Sequence, residues 1–101
     1  MDYKVVLSPS ARKDVREIVR YISLDAPSRA LAFGESLISN TKRLGHYSEM
    51  GRIVPEFGDP EIREISVRNY RVVYRVDHPR KKVLVIRFWH GARSTPELPT
   101  L

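Results

Sequence analysis

The sequence contains no cysteine and no long hydrophobic run. Without cysteine neither a disulfide framework nor a thiolate metal site can form, so a reducing cytoplasm is the expected compartment. Residues 1–7 carry too short an apolar run for a signal peptide, and no segment approaches the roughly 18 apolar residues of a transmembrane helix. These absences predict a soluble cytoplasmic protein with no membrane partner.

Acidic residues are scarce in the C-terminal half. Between Arg63 and Arg93 the only carboxylates are Glu64 and Asp77, while the chain as a whole has a net charge of +6. The same stretch holds nine cations, at Arg63, Arg68, Arg71, Arg75, Arg80, Lys81, Lys82, Arg87 and Arg93. Such a positive field suits a phosphate backbone or an acidic protein, although a solvated surface that keeps a small domain soluble gives the same count.

The length of the chain limits its organisation. With 101 residues and 42% hydrophobic content the sequence can bury one modest core, because domains of roughly 100 residues fold alone. We expect a single domain over residues 1–93. The remaining residues, 94–101, contain two prolines and little periodicity, which predicts a loose C-terminal tail.

The first half predicts one strand and two helices. Residues 3–7 are β-prone, and Ser8 followed by Pro9 is typical of a helix start. Apolar residues then recur at helical spacing at Ala11, Val15, Ile18, Val19 and Ile22, and again at Ala30, Phe33, Leu37 and Leu44. The break at residues 25–27 is short, so the two helices should be antiparallel neighbours. Gly34 inside the second helix indicates a close helix contact.

The second half predicts a loop and three strands. Residues 45–60 are rich in glycine and proline, which favours an ordered loop. The β-like runs at residues 62–67, 70–76 and 83–89 are separated by short turns, which force antiparallel pairing. The order β-α-α-β-β-β therefore predicts an α+β domain, in which a helical hairpin packs on one face of an antiparallel sheet.

Four segments, in this order, resemble one protein family. They are GRIVPE at residues 51–56, IREI at 62–65, YRVVYRV at 70–76 and VIRFWHGAR at 85–93. Together with the similar N-terminal helix, the resemblance covers residues 3–93 and is to the RelE/ParE superfamily of bacterial toxins. It implies the toxin of a type II toxin–antitoxin pair, a cytoplasmic growth inhibitor. A cognate antitoxin would neutralise it by wrapping a C-terminal segment around it in a hetero-oligomer.

The RelE-like branch implies a ribosome-dependent endoribonuclease that cleaves mRNA without metal or cofactor. Such chemistry needs a base, a fixed cation and a proton donor. The matching positions are Glu56 as base, Arg71 as phosphate clamp, His90 as acid and Arg93 as second cation. Three of the four have a structural alternative: a surface ion pair for Glu56 or Arg71, and backbone-bonded packing for His90. The other two histidines are not at metal-ligand spacing, so we expect no metal site.

The ParE-like branch implies a different activity, because its members are generally associated with blocking DNA gyrase. The ending of residues 90–93 and the Arg-Glu-Ile strand at residues 63–65 resemble this branch, whereas the absence of any tyrosine after Tyr74 departs from the pattern of the nucleases. We favour it. The residues expected to contact the target are then Arg63, Tyr70, Arg71, Arg75 and Arg87, with His90 and Arg93 supporting the fold or the contact. A third hypothesis is a domain that has lost toxicity and serves only in antitoxin-bound autoregulation.

The apolar stripes of the two helices exceed what one small sheet can cover. We therefore expect an exposed hydrophobic groove between the helices and the sheet. A partner helix, which the resemblance implies is part of the antitoxin, would complete the burial.

Overall fold

The computed structural model describes residues 2–99, which contain two α-helices and five strands. Strand β1 (Lys4–Leu7) leads into helices α1 (Pro9–Ser23) and α2 (Pro27–Thr41) and a 3-10 turn at Lys42–Gly45. Strands β2 (Arg52–Ile53), β3 (Ile62–Val67), β4 (Tyr70–Asp77) and β5 (Lys82–His90) follow. All five form one sheet in the order β1-β5-β4-β3-β2.

The predicted α+β architecture is confirmed, with two additions. Strands β3, β4 and β5 form the expected antiparallel meander. A two-residue strand, β2, extends it within the predicted loop. At the opposite edge β1 pairs parallel with β5. Parallel neighbours need a long connection, and here the helical hairpin and strands β2, β3 and β4 lie between the two strands in sequence.

Helix α1 begins where the sequence predicts. The hydroxyl of Ser8 accepts a hydrogen bond from the Ala11 N–H at 3.0 Å. Pro9 occupies the first turn, where its missing N–H has no cost. The same hydroxyl donates to the carbonyl of Ile86 at 2.9 Å, so the helix cap is also a link to β5. Neither helix within residues 2–99 is long and apolar enough to cross a membrane.

The main core lies between the helical hairpin and one face of the sheet. Buried stripe residues of the helices pack against the inward side chains of β3, β4 and β5, and the buried cluster includes Ala11, Val15, Ile18, Leu37, Ile65, Val72, Tyr74, Val85 and Phe88. The close helix contact predicted at Gly34 is confirmed. A Cβ there would lie 2.6 Å from Cγ2 of Val19.

The C-terminal tail, expected to be loose over 94–101, is held to the sheet over its described part, residues 94–99. The Trp89 indole N–H donates to the Ser94 carbonyl at 2.8 Å, and Arg87 donates to the Glu97 carbonyl at 2.6 Å. Leu98 packs on a second small cluster formed by Val54, Ile62 and Val73. Residues 100 and 101 lie outside the described residues.

Asp14 joins α1 to the part of β5 that β1 does not reach. Pairing with β1 ends at Val85, and beyond it the N–H of Phe88 donates to Asp14 Oδ2 at 3.0 Å. Arg87 donates to both oxygens of this carboxylate, from Nε at 2.8 Å and from Nη2 at 2.9 Å. Asp14 is 7% exposed. A single buried carboxylate thus satisfies a guanidinium and a backbone N–H.

Asp14→Ala should lower the free energy of unfolding by about 2–4 kcal/mol, because it leaves a buried N–H and a poorly exposed guanidinium without their acceptor. Urea denaturation at pH 7 measures this. Asp25→Ala, at an exposed position after α1, is the matched control and should change stability by less than about 0.5 kcal/mol. Equal urea midpoints for the Asp14 variant and the unmodified chain would contradict this account of the link.

Candidate functional site

The turn between β3 and β4 and the end of β5 form an open cleft of about 330 Å³. Cross-strand pairing of Tyr70 with His90, and of Arg71 with Trp89, brings these ends together. The Gly91 N–H donates to the Asn69 carbonyl at 2.7 Å and fixes the corner. The lining residues are Ser66, Arg68, Asn69, Tyr70, Arg71, His90, Gly91 and Ala92. Three residues singled out from the sequence, Tyr70, Arg71 and His90, therefore share one site.

Arg71 is enclosed by two carboxylates. Its Nη1 and Nη2 donate to the two oxygens of Glu56 at 2.8 and 2.7 Å, the parallel fork that binds a guanidinium most strongly. Its Nε and Nη2 also donate to Glu64, which is 4% exposed. Arg52 donates to the same Glu64 at 2.7 Å. All three guanidinium nitrogens of Arg71 are thus engaged.

This geometry changes the proton affinity of both partners. Hydrogen bonds from Arg71, and then from its own backbone, lower the pKa of Glu56 from 4.5 to about 2. Hydrogen bonds to Glu56 and then Glu64 raise the pKa of Arg71 above its ordinary value. A carboxylate with so low a pKa is a weak base at neutral pH. The residues predicted as base and phosphate clamp therefore bind each other.

His90 is held by the backbone and by an aromatic neighbour. Its Nδ1 accepts a hydrogen bond from the Ala92 N–H at 3.1 Å, which leaves Nε2 as the protonated nitrogen of the neutral ring. The ring lies edge-to-face against Tyr70, with centroids 5.1 Å apart. His90 thus combines a backbone hydrogen bond and a ring contact with a place in the lining of the cleft.

Arg93 stacks on an aromatic ring. Its guanidinium carbon lies 3.7 Å from the centroid of Trp89, and that of Arg87 lies 4.8 Å from the same ring. Such a contact contributes about 0.5–1 kcal/mol at an exposed site. Because Trp89 pairs with Arg71 across the strands, Arg93 lies next to the cleft, although it does not line it.

Three of the five residues expected to contact a target lie outside the cleft and are engaged within the chain. Arg63 donates to the Gly51 carbonyl at 3.0 Å, and Arg75 lies 3.4 Å from Glu61. Arg87 is bound by Asp14, as described above, and this pairing raises its pKa. Tyr70 and Arg71 do line the cleft. Part of the positive field expected of the meander is therefore neutralised, because Arg71, Arg75 and Arg87 are paired with carboxylates of this chain.

Sequence reasoning missed the two buried carboxylates, although both carry a signal. Asp14 lies three residues after Ala11 and four before Ile18, which places it on the apolar stripe of α1. Glu64 shares a strand face with Ile62. A charged residue at a position where the pattern requires an apolar one indicates a buried ion pair. Within residues 2–99 no group of three or more His, Asp or Glu side chains is placed to hold a metal ion.

One family model matches the chain over residues 5–95, nearly its whole length. It is described as the ParE toxin of a type II toxin–antitoxin system, parDE. No curated protein matches the sequence.

Solved structures share the fold at low sequence identity. A chain of the chromosomal ParDE toxin–antitoxin system from Pseudomonas aeruginosa superposes with a TM-score of 0.74 at 18% identity, covering 87% of this chain and 95% of that one. A double mutant of the Escherichia coli toxin RelE in the free state superposes with a TM-score of 0.64 at 20% identity, covering 91% of this chain and 86% of that one. A chain of the RelBE2 toxin–antitoxin complex from Mycobacterium tuberculosis superposes with a TM-score of 0.59 at 20% identity, covering 89% of this chain and 99% of that one.

Glu56→Gln should flatten the acid dependence of stability. Glu56 has a lowered pKa in the folded chain, so its stabilisation is complete above about pH 4.5, the unfolded value, and is lost as the pH falls towards 2. Glutamine keeps the shape but does not titrate. Urea midpoints recorded from pH 7 down to pH 2.5 should fall less steeply below pH 4.5 in this variant than in the unmodified chain.

The matched control for this series is Glu35→Gln, which removes an exposed carboxylate of α2 that has no ion pair within the described part of the chain. Its pH profile should run parallel to that of the unmodified chain. Parallel profiles for Glu56→Gln as well would show that the pairing with Arg71 does not form in solution.

Proposed function

The chain belongs to the ParE toxin family of type II toxin–antitoxin systems, and from this membership we propose that it inhibits growth by blocking DNA gyrase in the cytoplasm. The chain is the toxin of the pair, and a cognate antitoxin is its neutralising partner. RelE-like cleavage of ribosome-bound mRNA is the competing hypothesis, since the two activities occur on one fold.

The mutual engagement of Glu56 and Arg71 supports inhibition by binding over cleavage. A metal-independent nuclease needs a base free to accept the ribose proton and a cation free to stabilise the phosphorane. Here the fork at 2.7–2.8 Å joins these two groups to each other. A substrate phosphate would have to displace a carboxylate from Arg71, against a pairing strong enough to hold the pKa of Glu56 at about 2.

We assign the contact with gyrase to the cleft at the end of the sheet. Tyr70 and Arg71 line it, and Arg68 there is exposed. Arg63, Arg75 and Arg87 then act indirectly, because their ion pairs and hydrogen bonds hold the strands that shape the cleft. The proposed contact requires no bond to be broken, which agrees with the packed state of His90.

The groove expected for the antitoxin has a counterpart beside the turn that connects the two helices of the hairpin. A cavity of about 370 Å³ lies between the helices and the β3–β4 turn, lined by Ile22, Ala26, Arg29, Ala32, Phe33 and Arg68. Its apolar floor and two arginines suit an amphipathic segment that also carries carboxylates. We propose that the C-terminal segment of the antitoxin occupies this groove.

The gyrase hypothesis predicts inhibition of supercoiling without RNA cleavage. Purified chain added to gyrase and relaxed plasmid should stop supercoiling, whereas translated mRNA should stay intact. His90→Ala should weaken inhibition about tenfold at most, the loss expected when one side chain of a binding surface is truncated, because His90 performs no chemistry in this mechanism. Cleaved mRNA that His90→Ala protects, together with unaffected gyrase, would establish the RelE-like alternative. An inert chain in both assays would favour the hypothesis of lost toxicity.

The groove hypothesis predicts that a carboxylate placed in it weakens antitoxin binding. Ala32→Asp puts a charge on the apolar lining, and desolvating it should reduce the affinity for the antitoxin encoded beside this chain tenfold or more. Titration calorimetry measures the change. Ser39→Asp, two turns further along the exposed side of α2, is the control and should bind as the unmodified chain does. Unchanged affinity of the Ala32 variant would exclude this groove.

A further inference from the structure

Helix α1 carries a stripe of exposed cations that have no carboxylate partner. Arg12, Arg16 and Arg20 follow one another at four-residue spacing, and Lys13 lies beside them. Within residues 2–99, Lys13, Arg16 and Arg20 form no side-chain hydrogen bond or ion pair, and Arg12 reaches only the Leu7 carbonyl at 3.4 Å. The α1 stripe, defined by these four residues, is therefore a free positive surface.

The arginines of the strands, unlike most of those of the α1 stripe, have partners within the chain. They are engaged by carboxylates or carbonyls: Arg52 and Arg71 by Glu64, Arg63 by Gly51, Arg75 by Glu61 and Arg87 by Asp14. The sequence placed the positive field in the C-terminal half. Within residues 2–99 the cations of the α1 stripe, unlike the strand arginines, have no carboxylate partner.

The stripe is unfavourable for the isolated helix. Like charges at four-residue spacing destabilise a helix, and the positive end of the macrodipole lies near Arg12 and Lys13. No acidic residue stands in the first turn to offset either effect. The charges of the stripe and the dipole add, so the N-terminal half of α1 presents a concentrated positive potential.

We propose that the α1 stripe binds the phosphate backbone of double-helical DNA. Arginine presents a planar fork that matches phosphate oxygens. A rise of 1.5 Å per residue places successive arginines about 6 Å apart and the first and third about 12 Å apart, close to the width of the major groove. The contact is to the backbone and does not depend on base sequence.

The composition of the stripe favours DNA over an acidic protein. The exposed residues between Arg12 and Arg20 are all charged, Glu17 being the only anion among them. Exposed apolar side chains of this helix and the turn that follows it, Tyr21 and Leu24, lie beyond Arg20, the last residue of the stripe. Protein interfaces have an apolar centre, whereas DNA interfaces are more polar and much more positive. The inference is also independent of the gyrase hypothesis, because it concerns DNA alone.

Fluorescence anisotropy with a labelled 20-base-pair duplex of arbitrary sequence tests the proposal on the full chain. The logarithm of the binding constant should fall with the logarithm of salt concentration with a slope of about −3 to −4, for three or four phosphates. Arg16→Gln should reduce the slope by about 1. Replacing Arg12, Arg16 and Arg20 together by Gln should lower affinity at 100 mM salt at least tenfold.

Lys42→Gln, which removes one exposed charge from the 3-10 turn, is the matched control and should keep the full slope. Circular dichroism should show an intact helix in every variant. An unchanged slope in Arg16→Gln, or an equal loss in Lys42→Gln, would overturn the proposal. So would poly-glutamate competing as well as unlabelled duplex, which would indicate an acidic protein, or tighter binding of single-stranded RNA. None of these outcomes bears on gyrase inhibition.

Discussion

The need to pair one buried carboxylate, Glu64, organises the outer face of the sheet. An ionised carboxylate that is 4% exposed must be paired, because the desolvation of an unpaired charge is very costly. Arg71 and Arg52 meet this need from opposite sides. Since Arg52 belongs to β2, the ion pair helps to hold that short strand against β3. The loop after β2 then brings Glu56 onto the other side of Arg71, where the candidate base accepts two hydrogen bonds from the guanidinium.

The same principle recurs at the opposite edge of the sheet. There Asp14, from α1, holds Arg87 and the Phe88 N–H across 73 and 74 residues of sequence. Asp14 lies outside the arginine-rich segment 63–93 and Glu64 lies within it, but each is buried and neutralises an arginine of the meander. A composition that suggests a positive sheet therefore folds into a sheet whose strand arginines are mostly structural, while the exposed cations of α1 have no carboxylate partner within residues 2–99.

Local patterns predicted much of this fold, and long-range pairing explains what they missed. Helical spacing from Ala11 to Ile18 located α1, and the turn at Asn69 located the start of β4. The parallel pairing of β1 with β5 has no local signal, because it depends on where residues 82–85 arrive after the meander has formed. The attachment of the tail through Glu97 and Leu98 likewise has no local signal in the sequence. For the site, strand order brings Tyr70, Arg71 and His90 together at one end of the sheet, but the fork between Glu56 and Arg71 depends on loop geometry that spacing does not encode.

Glu56 sets the charge of the network beside the cleft. Around the cleft, Arg52 and Arg71 supply two positive charges, and Glu56 and Glu64 supply two negative ones, so the network is neutral. Without the charge of Glu56 the network would carry one net positive charge beside the cleft, and Arg71 would have two free donors facing it. That state would attract a phosphate. As folded, the network beside the cleft is neutral and the donors of Arg71 are occupied by carboxylates, so the exposed positive charge at the rim of the cleft is that of Arg68.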